Sequence, residues 1–146
     1  MSDNQNALRI SSALEMAIVG VSDRDFGGVI YRTLKDRGIT VYAVHPARTT
    51  FADDPCYPSL TSLPSTVKTA IIAVAPQTAE LVVDDAIAAG FTSLWFQQGK
   101  NFSTAEAKAK VAGIKTASGK CILLYAGEVT GVHAFHRFLA KLFGKY

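Results

Sequence analysis

The sequence predicts an α/β fold, a single Rossmann-like open, doubly wound sheet of about five mainly parallel strands with helices on both faces. Three observations predict it. Short apolar runs recur without polar alternation, as strands buried on both faces do. Between them lie stretches with helical spacing, several closed by glycine. The chain has 146 residues, 49% hydrophobic and 18% charged, which suits one globular domain spanning 1–146 with a sizeable core.

The elements follow in order. Residues 16–19 (MAIV) read as a buried strand, and the loop 20–28 leads to a helix over 29–37. That helix has Ile30 and Leu34 on one face and Gly38 at its end. Residues 40–44 (TVYAV) form the second strand, followed by a long loop through Pro58. Residues 69–74 (TAIIAV) form the third, followed by a helix over 77–89 with Leu81, Val82 and Ala88 near one face. Residues 93–96 (SLWF) form the fourth, with Trp95 in the core. Ser103 and Glu106 have capping-box spacing and open a helix to about residue 117. Residues 121–125 (CILLY) read as the fifth strand, and 132–143 as a last helix. Crossovers should be right-handed.

Composition excludes several classes. Fifteen basic against twelve acidic residues leave a net charge of only +3, and no nucleic-acid-reading motif is present. No apolar run is long enough to span a membrane, and the polar start MSDNQNALRISS lacks a signal-peptide pattern. A cytoplasmic location is expected. Two cysteines, Cys56 and Cys121, make no disulfide framework.

Open parallel sheets bind ligands at the carboxyl ends of their strands. The loops at those ends are 20–28, 45–58, 75–77, 97–101 and 126–131. In the first, Gly20 permits a tight turn, and free N–H groups at the helix start favour an anion. Ser22 adds a hydroxyl and Arg24 a charge. The loop is neither G-x-G-x-x-G nor a P-loop. The second strand ends in His45-Pro46-Ala47-Arg48, with no carboxylate before Asp53. NAD-binding domains place an acidic residue there; a histidine and an arginine favour a phosphorylated ribose, as in NADP or coenzyme A.

The segments A-I-V-G-V-S (17–22), V-H-P (44–46), Y-P-S-L (57–60), V-A-P (74–76) and L-W-F-Q-Q-G (94–99), in this order, resemble the small stand-alone CoA-binding proteins. Those are similar to the N-terminal CoA-binding domain of the succinyl-CoA synthetase alpha subunit. The resemblance covers roughly residues 13–125. It implies that Gly20 and Ser22 hold the CoA phosphates, with Val21 between them in the cofactor-binding set, and with His45-Pro46 and Tyr57-Pro58 near the adenosine. It places Pro76 and Gly99 along the cleft; the turn that holds Ala75 and Pro76 reads equally as a cleft floor and as a helix start. Val21 stands where the family has alanine, and His45 where it has asparagine.

Arg48, just past the second strand, is expected at the 3′-phosphate. Gln97, with Gln98, offers amides to a ligand's polar arm. No catalytic residue and no metal are assigned. His133 and His136 are three apart on the last predicted helix, but neither Glu128 nor Cys121 completes a convincing metal set. Cys56 has no activating neighbour in the sequence. The C-terminal helix carries Phe135, Phe138, Leu139, Leu142 and Phe143, a stripe suited to core packing, to a homodimer or protein partner, or to a lipid surface.

The reading is therefore non-catalytic binding of coenzyme A or an acyl-CoA, with no nucleic acid and no membrane span. The alternatives are a small NADP-linked oxidoreductase, for which no Tyr-x-x-x-Lys pair exists, and an interaction module with a vestigial nucleotide site.

Overall fold

The computed structural model describes residues 3–125. Thirteen elements follow one another. Helix α1 (Asp3–Ser11) precedes β1 (Glu15–Val19), α2 (Phe26–Asp36), β2 (Thr40–Val44), β3 (Thr50–Phe51) and β4 (Asp54–Tyr57). A 3-10 turn (Leu60–Ser62) leads to β5 (Thr69–Ile72), α3 (Pro76–Ala88), β6 (Ser93–Gln97), α4 (Ser103–Val111), β7 (Lys115–Lys120) and a second 3-10 turn (Ile122–Leu124). The sheet has seven strands in the order β3-β4-β2-β1-β5-β6-β7. All its pairings are parallel except the β3–β4 hairpin. The doubly wound α/β class read from the sequence is the fold observed, with two short strands added inside the predicted 45–58 loop.

The sheet separates two cores. One holds Ala7 and Ile10 of α1, Ile30, Tyr31 and Leu34 of α2, and Met16, Ile18, Ile71 and Trp95 from the sheet. The other holds Ala79, Val83 and Ala86 of α3 and Ala105 and Ala109 of α4, packed on Ala17, Val19, Ile72, Leu94 and Phe96. Successive residues of β1 and β5 alternate between these clusters, because side chains alternate across a strand. Both faces are therefore apolar, which is why these strands read as continuous hydrophobic runs.

Two assignments at the carboxyl end of the chain are corrected. Residues 115–120 are the edge strand, and α4 stops at Val111 instead of running to about 117. Residues 122–124 of the CILLY segment form a 3-10 turn. That turn is buried against the α1–α2 core, and the Trp95 indole donates to the Lys120 carbonyl beneath it at 3.0 Å. Strand β7 also contains a bulge: Phe96 pairs Ser118 while Gln97 pairs Lys120, and the skipped residue, Gly119, has φ +71°.

The expected capping box is absent too. Phe102 is the N-cap of α4, the Asn101 side chain accepts the Ser103 N–H, and Glu106 accepts from Ser118 Oγ at 3.0 Å. The predicted helix over 132–143, with His133, His136 and the aromatic stripe, lies outside the described residues, as does Glu128.

Candidate functional site

A cleft of about 910 Å³ opens at the carboxyl ends of β1, β2, β4, β5 and β6. Its position follows from topology. Strand β1 is flanked by β2 on one side and β5 on the other, so the connections from β1 and β5 leave over opposite faces and part above the sheet.

The floor is the β1–α2 turn. Gly20 adopts φ +101°, and a Cβ there would stand 2.4 Å from the Ala73 carbonyl oxygen. A Cβ on Gly27 would stand 2.3 Å from the Gly20 carbonyl oxygen. These contacts press the start of α2 against the turn and leave room only for bare backbone. Arg24, Asp25 and Phe26 line the cleft beside them. Ser22 does not reach it. Its Oγ accepts from the Arg24 and Asp25 N–H groups at 3.2 and 3.0 Å, shaping the loop that carries Arg24.

His45, Pro46 and Pro58 line the cleft on the β2–β4 side. The Ala47 N–H donates to His45 Nδ1 at 3.0 Å, which leaves Nε2 as the donor of the neutral ring. Ala75, Gln97 and Gly99 line it on the β5–β6 side. Gln97 is 5% exposed. Its Oε1 accepts the Ile122 N–H at 3.2 Å, while Nε2 has no hydrogen-bond partner among the described residues.

Besides Ser22, four more expected site residues stand elsewhere. Val21 is fully buried in the α1–α2 core. Tyr57 packs edge-on against Tyr42, ring centres 6.0 Å apart. Pro76 serves as a first-turn residue of α3, where its missing N–H costs nothing. Arg48 lies over the Phe51 ring at 5.8 Å, with Asp23 3.9 Å from its Nη2. Arg32 approaches the same ring at 4.9 Å and the same carboxylate at 2.9 Å. The charge of Arg48 is thus spent on an aromatic and acidic cluster beside the cleft.

The cleft wall contributed by α3 was missed. Thr78, Leu81, Val82 and Asp85 all line it. Their spacing of i, i+3, i+4 and i+7 marks one helix face, a pattern legible in the sequence. Lys100 and Phe102 extend the lining past Gly99.

Neither thiol is poised to react. Burial pushes both Cys56 and Cys121 up from the ordinary thiol range, Arg48 opposing weakly at Cys56 and Gln97 at Cys121. Cys121 follows the carboxyl end of β7, where the sequence reading begins the fifth strand, and is fully buried beside Gln97. Among the described residues no group of His, Cys, Asp and Glu could hold a metal ion, and no helix is long and apolar enough to cross a membrane.

A family model described as "CoA binding domain" matches residues 15–127. The chain belongs to that family. The ADP-forming acetate–CoA ligase I of Archaeoglobus fulgidus is 27% identical over 134 residues, covering 84% of this chain and 20% of the ligase. The chain therefore spans about a fifth of the length of that curated relative. A conserved hypothetical protein from Pyrococcus furiosus is 30% identical, with a TM-score of 0.71 over 75% of this chain and 97% of its own. The dinucleotide-forming acetyl-coenzyme A synthetase 1 of Ca. Korarchaeum cryptofilum shares the fold, with a TM-score of 0.66 at 24% identity, over 74% of this chain and 26% of its own. The similarity to CoA-binding domains of the succinyl-CoA synthetase alpha type is thus established.

The residues present fit coenzyme A. Gly20, Gly27 and Arg24 line the cleft where α2 begins, and a helix start beside an arginine suits a phosphate. Gln97, Gln98 and Lys100 bring polar groups to the β6 end of the lining. The apolar side chains of Val74, Leu81, Val82 and Phe102 suit a flexible, mostly uncharged arm.

Proposed function

We propose that this domain binds coenzyme A, free or acylated, in the cleft at the carboxyl ends of the strands, and that the binding is non-catalytic. The observation that carries the proposal is the place of Gly20, Arg24 and Gly27 together in the cleft lining, which makes the start of α2 a seat for an anion. The pyrophosphate would lie on that seat beside Arg24. The adenosine would lie toward His45, Pro46 and Pro58, and the pantetheine arm toward Gln97 and Gly99. Bound CoA supplies a thiol that carries acyl groups; the protein's own residues bind and orient it.

The test is thermal denaturation with CoA, acetyl-CoA, NAD and NADP at equal concentrations. A ligand at a hundred times its Kd adds about 2.7 kcal/mol of stability. CoA or acetyl-CoA should raise the melting temperature and the nicotinamide dinucleotides should not. Equal stabilisation by NAD or NADP overturns the ligand class. Hydrolysis of acetyl-CoA above the buffer rate overturns the non-catalytic role.

A further inference from the structure

Asp85 is a carboxylate in an otherwise largely apolar part of the cleft. It sits on the lining face of α3, one turn beyond Leu81 and Val82. Its Oδ2 accepts the Leu60 N–H at 2.7 Å, which fixes the side chain against the 3-10 turn after β4. Its neighbour Asp84 pairs with Lys108, but Asp85 has no basic side chain within 4.0 Å among the described residues. Its Oδ1 accepts no hydrogen bond from them either.

An ionised carboxylate beside apolar walls favours hydrogen-bond donors and repels anions. The cleft's other carboxylate, Asp25, shares its position with Arg24 and the N-terminus of α2. The anionic part of a ligand is thus excluded from the Asp85 end, and a flat, uncharged, donor-bearing group is favoured there. Pro58, Leu60 and Val82 provide apolar walls for such a group.

We propose that Asp85 is the base-reading residue of the cleft and accepts a hydrogen bond from the exocyclic amine of the ligand's adenine. This rests on the coenzyme A reading above. Pantetheine amides also donate, and a ligand altered only at its base separates the two. The Leu60 N–H is the positioning group: it holds one oxygen and leaves the other for the base.

Calorimetry with two ligands and two proteins tests this. The ligands are CoA and 1,N6-etheno-CoA, whose fused ring removes the amine donor. The proteins are the wild type and Asp85→Asn, which keeps an oxygen for the Leu60 N–H. A hydrogen bond to a charged acceptor is worth on the order of tenfold or more in affinity. The wild type should bind CoA at least about tenfold more tightly than etheno-CoA. Asp85→Asn should lose most of that preference by weakening CoA alone. Equal binding of both ligands by the wild type overturns the assignment without any variant. A preference retained in Asp85→Asn also overturns it, because the etheno ring would then be excluded by size. Failure of the wild type to bind either ligand overturns the coenzyme A reading itself, and the base assignment with it.

Discussion

Gly20 and Ala73 meet so closely that a methyl group on Gly20 would stand 2.4 Å from the Ala73 carbonyl oxygen. The ends of the adjacent strands β1 and β5 are in contact through bare backbone, and the cleft floor depends on it. Ala73 is itself held there by its N–H, which donates to the Val19 carbonyl at 2.9 Å.

A substitution at Gly20 consequently tests packing before it tests binding. Gly20→Ala meets both the backbone clash and a φ of +101°, which side chains rarely adopt. We expect a loss of about 2 kcal/mol or more in urea denaturation. An unchanged midpoint would show that the β1–α2 turn relaxes without cost, and that the floor is not built as described.

The Tyr31–Asp54–Lys35 cluster predicts a pH dependence at both extremes. Asp54 Oδ2 accepts from Tyr31 Oη at 2.6 Å and from Lys35 Nζ at 2.5 Å, joining α2 to β4. Lys35, and then Tyr31, hold the Asp54 carboxyl below its usual range. Such a group contributes stability in full above its unfolded value of about 3.9, and loses it as the pH falls through the lower folded value. Burial, and then Asp54, push the Tyr31 hydroxyl above its ordinary range. Unfolded Tyr31 therefore ionises first, and stability falls as the pH rises beyond about 10. Asp54→Asn should flatten the acid limb, and Tyr31→Phe the alkaline limb, with Tyr31→Phe costing about 1 kcal/mol at neutral pH. Chemical denaturation from pH 3 to 11 checks this; unaltered limbs in both variants overturn it.

The central sheet was legible because each central strand is apolar on both faces, and the helix ends carry glycines. The carboxyl-terminal elements were not. β7 (KTASGK) buries only small or weakly polar side chains, Thr116 and Ala117, so no apolar run announces it. The CILLY segment is apolar because its turn sits under the α1–α2 core, and a short apolar run does not distinguish strand from turn. The β3–β4 hairpin turns at Ala52 and Asp53, with φ of 50° and 67°. That two-residue turn favours Asn-Gly, and Ala-Asp gives no such signal. Helix α1 left a trace in the i, i+3, i+4 spacing of Ala7, Ile10 and Ser11, all buried. In the cleft, residues on strand-end loops could be placed from the sheet rule. The α3 wall required knowing which helix face turns toward the ligand.

Both cysteines should resist modification in the folded protein. Cys56 is 8% exposed and Cys121 is fully buried, and burial raises both thiols. At pH 8 the native protein should react with Ellman's reagent far more slowly than the urea-unfolded chain, with Cys121 the slower of the two. Rapid release of one equivalent under native conditions would identify an accessible thiol and contradict the packing of β4 or of the 121–125 segment.

Two arginines that the sequence treats alike should differ in effect. Arg24 lines the cleft beside the glycine-walled turn, whereas Arg48 is engaged with Phe51 and Asp23 outside the lining. If the cleft holds coenzyme A, Arg24 meets the phosphates as a cation with little competition. A charge-assisted hydrogen bond contributes on the order of 1.5–3 kcal/mol. Arg24→Ala should therefore weaken CoA by at least about tenfold. Arg48→Ala should cost under about 1 kcal/mol, since its acidic partner Asp23 is exposed and 3.9 Å away. Dephospho-CoA separates the sites within the ligand. A loss on Arg24→Ala that is the same for CoA and dephospho-CoA places Arg24 at the pyrophosphate. A loss on Arg48→Ala that appears with CoA and vanishes with dephospho-CoA would show Arg48 leaving Asp23 for the 3′-phosphate on binding, and would reverse the ranking of the two residues.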